Sequence, residues 1–115
     1  MRLPRDAVLL RIFMGENDRA DRRPLYETIV LKAREAQLAG ATVLRGTVGF
    51  GHSSILHSAK ILRLSDDLPV VVEIIDTEER INAFLPLIEP LMSNGLATLE
   101  RVRILQYGPA SPEQT

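Results

Sequence analysis

The chain has no cysteine and no tryptophan, and only 4% of its 115 residues are aromatic. The missing cysteine excludes disulfides, Cys-based zinc sites and a thiol nucleophile. The shortage of rings leaves the core to aliphatic side chains. An excess of charge of one sign is also absent: 14 basic against 15 acidic residues give a formal net charge of −1. That balance argues against a broad nucleic-acid-binding surface. Long apolar runs are missing too. The N-terminal stretch MRLPRDAVLLRIF is broken by Arg11 and is too short for a signal peptide or a membrane span. No internal repeat or low-complexity segment is visible. The chain therefore reads as a soluble cytoplasmic protein without membrane insertion. A 45% hydrophobic fraction with 25% charged residues is enough for one globular core.

Four extended and two helical segments follow from periodicity. Asp6–Met14 is rich in aliphatic residues and predicts a first strand that ends at Gly15. Gly15–Arg23 is a charged loop. Pro24 suits a first helical turn, Leu25, Ile29, Ala33 and Ala36 recur at helical spacing, and Gly40 suits the residue after the helix. These signals predict a helix over about Pro24–Ala39. Ala41–Val48 reads as a second strand and Pro69–Asp76 as a third. The third is the most apolar strand, with Val70, Val72 and Ile74 to one side and Val71 and Ile75 to the other. Asp76-x-x-Glu79 has capping-box spacing with Asp76 as the cap. Ile81, Phe84, Leu85, Ile88 and Met92 form the stripe of a second helix, which Pro86 and Pro90 should kink or end. After Asn94-Gly95, Leu96–Tyr107 reads as a fourth strand. The order is β-α-β-β-α-β. It predicts an α+β, ferredoxin-like domain with a four-stranded antiparallel sheet and both helices on one face. A third strand that is apolar on both sides predicts that a second subunit covers the other sheet face.

The run LAGATVLRGTVGFGHSS (Leu38–Ser54), Ile55-Leu56-His57 after it, and DLPVVVEIID (Asp67–Asp76) together resemble a bacterial and archaeal family. It is domain of unknown function 190, in the PII-like (nitrogen regulatory protein-like) superfamily. Gly15-Glu16 and Pro24-Leu25-Tyr26 fit the same pattern. The resemblance covers roughly residues 5–107, which makes 1–107 a single PII-like domain, and the polar, Pro-rich GPASPEQT at 108–115 reads as a loose C-terminal tail. It implies homotrimers with their sheets facing inward and adenine nucleotides bound in clefts between subunits. It also implies regulation of a transporter or enzyme through the loop between the second and third strands. The nucleotide-binding motifs of true PII signal proteins do not appear.

From Ala36 to Ser65 there is no Asp or Glu, while Arg45, Lys60, Arg63, His52 and His57 lie there. Inside this window sits Gly46-x-x-Gly49-x-Gly51-His52-Ser53-Ser54. Glycines let backbone N–H groups turn toward one point, which makes a nest for an anion. Arg45, Gly49, Gly51, His52, Ser53 and Lys60 are the candidate ligand-binding set for an anionic small molecule such as an adenine nucleotide. The same glycines also fit ordinary turns and a strand bulge. Neither a Walker A motif nor a Rossmann fingerprint is present, and no cofactor is expected. His52 and His57, five apart, have no helix-face or finger spacing that would make a metal site. Ser53 and Ser54 lack a nucleophile elbow. The leading reading is a non-enzymatic sensing protein that signals through residues 49–68. The alternatives are a small enzyme using His52 or His57, and a structural accessory subunit of a transport system. Residues 51–64 are expected to be less ordered than the strands beside them. Glu16, Asp18, Arg19, Asp21, Arg22 and Arg23 read first as a solvated charged loop, with the alternative that Glu16 meets the strand-two loop and orients Arg45 or a ligand; Arg101 and Arg103 share one face of the fourth strand, an exposed, salt-bridged edge or a subunit cleft.

Overall fold

The computed structural model describes residues 5–49, 67–92 and 95–108. It contains β1 (Asp6–Gly15), β2 (Arg19–Ala20), β3 (Arg23–Pro24), α1 (Leu25–Glu35), β4 (Ala41–Arg45), β5 (Pro69–Asp76), α2 (Glu78–Ile88), a 3-10 turn (Glu89–Leu91) and β6 (Leu96–Arg103). The sheet order is β4-β5-β1-β6, with every pairing antiparallel. This is the ferredoxin-like α+β arrangement that the periodicities predict. Among the described residues no helix is long and apolar enough to cross a membrane.

Alternation along the two central strands builds the core. Val8, Leu10, Ile12 and Met14 of β1 and Val70, Val72 and Ile74 of β5 are buried on one face. Leu25, Ile29 and Ala33 of α1 and Ile81, Phe84 and Ile88 of α2 close over them. The odd-numbered residues of β1 and β5 point the other way, as the period of two requires. Val71 and Ile75 thus lie on the face without helices, Ile75 exposed and Val71 half-buried.

Five local expectations need correction. The charged segment after β1 is not a plain loop, because β2 and β3 form a small hairpin paired Arg19 with Pro24 and Ala20 with Arg23. Asp21 turns it at φ 58°, a conformation Asp tolerates better than most residues. Pro24 is the cap before α1, not its first helical residue, with extended ψ of 137°. Helix α1 ends before Gly40. Gln37 takes the left-handed position at φ 59°, its N–H donates to Arg34 O (3.0 Å), and Leu38 N–H donates to Ala33 O (3.1 Å). Those two bonds are a Schellman closure. Strands β4 and β6 stop at Arg45 and Arg103, short of Val48 and Tyr107.

The fifth correction concerns Asp76. The cap of α2 is Thr77, whose hydroxyl accepts from Arg80 N–H (3.2 Å). Asp76 is the last residue of β5 and is fully buried. Its carboxylate accepts from Ala39 N–H (2.8 Å) and Thr77 N–H (2.7 Å) and lies 3.6 Å from Arg80 Nη1. Arg80 in turn donates to the carbonyls of Ala36 and Gln37. Tyr107 Oη donates to Ala39 O (3.3 Å). The connection from α1 to β4 is thus gripped by side chains from three other segments. Pro86 sits in the last turn of α2, where its missing N–H removes one helical bond. The chain tightens into the 3-10 turn at Glu89–Leu91, which contains Pro90.

Candidate ligand site at the end of the sheet

Strand β1 leaves the sheet, β4 ends and β5 begins at the same end. Backbone bonds tie the three together: Glu16 N–H donates to Leu68 O and Gly46 N–H to Pro69 O, both at 2.8 Å. The turn after β1 closes on itself, with Gly15 N–H donating to the Asp18 carboxylate (3.0 Å) and Asp18 N–H to Gly15 O (3.1 Å). Asn17 N–H donates to Asp67 Oδ1 (3.1 Å). Gly15 leaves room for the Asp67 carboxylate here. A Cβ on it would lie 2.7 Å from Asp67 Oδ1, closer than real Cβ contacts come. A Cβ on Gly46 would meet the Pro69 ring at 2.8 Å, and one on Gly49 would meet it at 3.1 Å. The chain therefore leaves the described region at Gly49 and re-enters at Asp67, with both ends close to Pro69.

Glu16 and Arg45 meet at this end. Arg45 Nη2 lies 2.7 Å from Glu16 Oε2, with the arginine half exposed and the glutamate more sheltered. The pairing is the alternative to a plain solvated loop that the sequence offered for Glu16. Its chemistry is specific: a carboxylate fixes one edge of a planar guanidinium and leaves the other donors a defined direction. Among the described residues this end carries Glu16, Asp18 and Asp67 against Arg45. Arg45 thus arrives already paired.

Arg45 and Gly49 are the two candidate ligand residues that fall within the described structure. Gly51, His52, Ser53 and Lys60 lie outside the described residues, as do His57, Ser54, Arg63 and the expectation about mobility at 51–64. The tail beyond Gly108 lies outside them as well. Sequence reasoning missed Asp18 and Asp67, which close the turn beneath Glu16. The available signal was Asp three residues after Gly15 and again just before Leu68-Pro69. Arg101 and Arg103 do share a face of β6, and Arg101 Nη1 lies 3.8 Å from Glu78 Oε1 on α2. Among the described residues, no group of three His, Asp or Glu side chains is placed to hold a metal ion.

Comparison with known proteins agrees with this architecture. The model of the DUF190 family, described as "Uncharacterized ACR", matches residues 7–104. A UPF0166 protein of Aquifex aeolicus is 43% identical over 97 residues, covering 84% of this chain and 91% of that protein. Among solved structures, CPII from Thiomonas intermedia K12 bound to ADP, AMP and acetate aligns with a TM-score of 0.64 at 15% identity. The alignment covers 92% of this chain and 94% of that one. CPII bound to ADP, AMP and bicarbonate, described as a nitrogen regulatory PII-like protein, gives a TM-score of 0.63 at 14% identity, over 88% and 90% of the two chains. At these identities the likeness to CPII is one of fold.

Proposed function

This chain belongs to the DUF190 family, and on that premise we propose that it is a non-enzymatic, PII-like sensing protein. It binds an anionic small molecule, an adenine nucleotide first among them, in clefts between the subunits of a homotrimer. Ligand contacts order residues 49–68, and a regulated transporter or enzyme meets one state of that segment. The observation that carries this reading is the position of Arg45. It stands at the brim of the segment, held on one edge by Glu16, on a fold shared with a protein solved with ADP and AMP. A phosphate would take backbone N–H groups from residues 49–53 and charge from Arg45 and Lys60.

Calorimetric titration with ADP tests it. Charge-assisted hydrogen bonds contribute about 1.5–3 kcal/mol each. Replacing Arg45 with Ala is therefore expected to weaken ADP binding roughly tenfold or more. The thermal midpoint should stay within a degree or two, because Arg45 is exposed on an edge strand and packs no core. Equal affinity in the variant, or no binding of ADP, AMP or ATP to the wild type, would remove Arg45 from the site.

The open sheet face supports the trimer. Ala7, Leu9, Phe13, Leu44, Val71, Ile75, Leu96 and Val102 project to it by register, and no described helix covers them. Light scattering coupled to size exclusion at micromolar concentration is expected to report about three chains per particle. A monomer there would sink the clefts between subunits.

A further inference from the structure

Arg45, the cation on which the proposed site depends, has an anion beside it before any ligand arrives. Its Nη2 lies 2.7 Å from Glu16 Oε2, with the arginine side chain 52% exposed and the glutamate 26%. The backbone that carries Glu16 is fixed. Its own N–H donates to Leu68 O (2.8 Å), and the next N–H, that of Asn17, donates to Asp67 Oδ1 (3.1 Å). Gly15 N–H, just before it, donates to the Asp18 carboxylate. The backbone after Arg45 is held as well, by the bond from Gly46 N–H to Pro69 O. Side-chain rotation is thus the motion left to separate the pair. A carboxylate tethered in this way faces the guanidinium at high effective concentration.

An anion has two ways onto Arg45. It can displace Glu16, or it can take the open edge of the guanidinium with the carboxylate still in place. Either way Glu16 stays within a side chain's length of the anion. Like charges that close repel, and more strongly in a sheltered place than in open water. Asp18 and Asp67 add negative charge at the same end of the sheet. The hairpin residues Arg19, Arg22 and Arg23 are all exposed, where water and salt screen them, whereas Glu16 is sheltered and touches Arg45 directly. The repulsion grows with the charge on the ligand. We propose that Glu16 is a specificity-determining residue, which limits the charge of the anion that Arg45 accepts. It tilts the site toward a nucleoside monophosphate and against the triphosphate. This rests on the reading of Arg45 as a ligand residue and adds to it the group that selects among ligands.

Calorimetric titration of the wild type and Glu16→Gln with AMP and with ATP tests the idea, at low ionic strength and with EDTA so that no divalent cation neutralises the phosphates. AMP carries about two negative charges, and each further phosphate adds about one. Glutamine keeps the length of the side chain and an acceptor oxygen for Arg45 but removes the charge. Glu16→Gln is expected to bind AMP roughly threefold and ATP roughly thirtyfold more tightly than the wild type, so that the ratio of the ATP to the AMP dissociation constant falls about tenfold. Loss of a purely structural contact would leave that ratio where it was. Glu79→Gln, an exposed change on α2 at the other end of the sheet, should keep the wild-type ratio. An unchanged ratio in Glu16→Gln, or weaker binding of both nucleotides, overturns the role of Glu16 and leaves Arg45 in the site. Binding of ATP by the variant alone supports it. No binding of either nucleotide by either protein overturns the ligand reading and this one together. Both backbone bonds beside position 16 remain in the variant, so its thermal midpoint should stay within about two degrees of the wild type.

Discussion

Asp76→Ala should melt more than about 10 °C below the wild type at equal protein concentration. The carboxylate is fully buried and serves two backbone N–H groups and one guanidinium. Truncation leaves the Ala39 and Thr77 N–H groups without their acceptor and Arg80 without its counter-charge. Stranded buried donors cost about 1–3 kcal/mol each. Breaking a buried pair from one side costs about 3–5 kcal/mol, discounted here because Arg80 reaches solvent. A total near 3 kcal/mol is the expected loss, and in a domain of this size each kcal/mol moves the midpoint by about 4 °C or more. Asp76→Asn keeps the shape and one acceptor oxygen, so it should lose less, about 1–2 kcal/mol. Differential scanning calorimetry of both variants decides the matter. A midpoint for Asp76→Ala within about 3 °C of wild type would mean that the α1–β4 connection is held by other contacts.

Phe84→Ala should be similarly costly for an unrelated reason. Phe84 is 1% exposed and stands in the middle of the α2 stripe, between Ile81 and Ile88 and above the sheet. Removing a buried ring loses its transfer free energy and leaves a cavity that the aliphatic surround fills only in part. The usual cost is about 3–5 kcal/mol. Leu87, three residues on, is half exposed, and its truncation should cost under about 0.5 kcal/mol. Urea unfolding separates the two positions: the Phe84→Ala midpoint should fall sharply with an unchanged slope. Equal midpoints for Phe84→Ala and Leu87→Ala would show that α2 is not anchored through this ring.

The features legible in the sequence are those that repeat along it. Alternation in residues 69–76 and the stripe through Ile81, Phe84 and Ile88 each recur several times, and together they specify the element order and the core face. Features set by a single contact across the chain were not legible. Asp76 has the spacing of a cap, but the register of β5 turns its side chain inward to Ala39, thirty-seven residues away in sequence. Gly40 is the intrinsically better left-handed residue, yet the helix closes on Gln37, and Arg80 supports that turn through the carbonyls of Ala36 and Gln37. The hairpin at β2 and β3 has no apolar alternation to announce it; the bond from Leu25 N–H to Asp18 O (2.8 Å) fastens it to α1. At the candidate site, Arg45 and Gly49 stand out in the sequence because the window around them lacks acids. Glu16 was legible as their neighbour, whereas Asp67 became part of the site only when β5 aligned with β1. The ion pairs of Arg11 with Glu73 and Glu100 join residues 62 and 89 positions apart, which no local pattern encodes.

The sheet order has a temporal side. Strand β1, made before the other described strands, is paired on one edge by β5 and on the other by β6, with Asp6 opposite Arg103. Nearly the whole described chain must be synthesised before that second edge closes. Until then β1 offers an open row of backbone donors and acceptors beside an apolar face, the arrangement most prone to pairing with a neighbouring nascent chain. Contacts so distant in sequence also slow folding, because the entropy of closing the intervening loop is lost before any bond forms. The charged side chains of β6, Glu100, Arg101 and Arg103, stand on the described strand that arrives last and becomes one edge. They keep that edge in water once the sheet is complete, so the last of the described strands to be made forms one of its two edges.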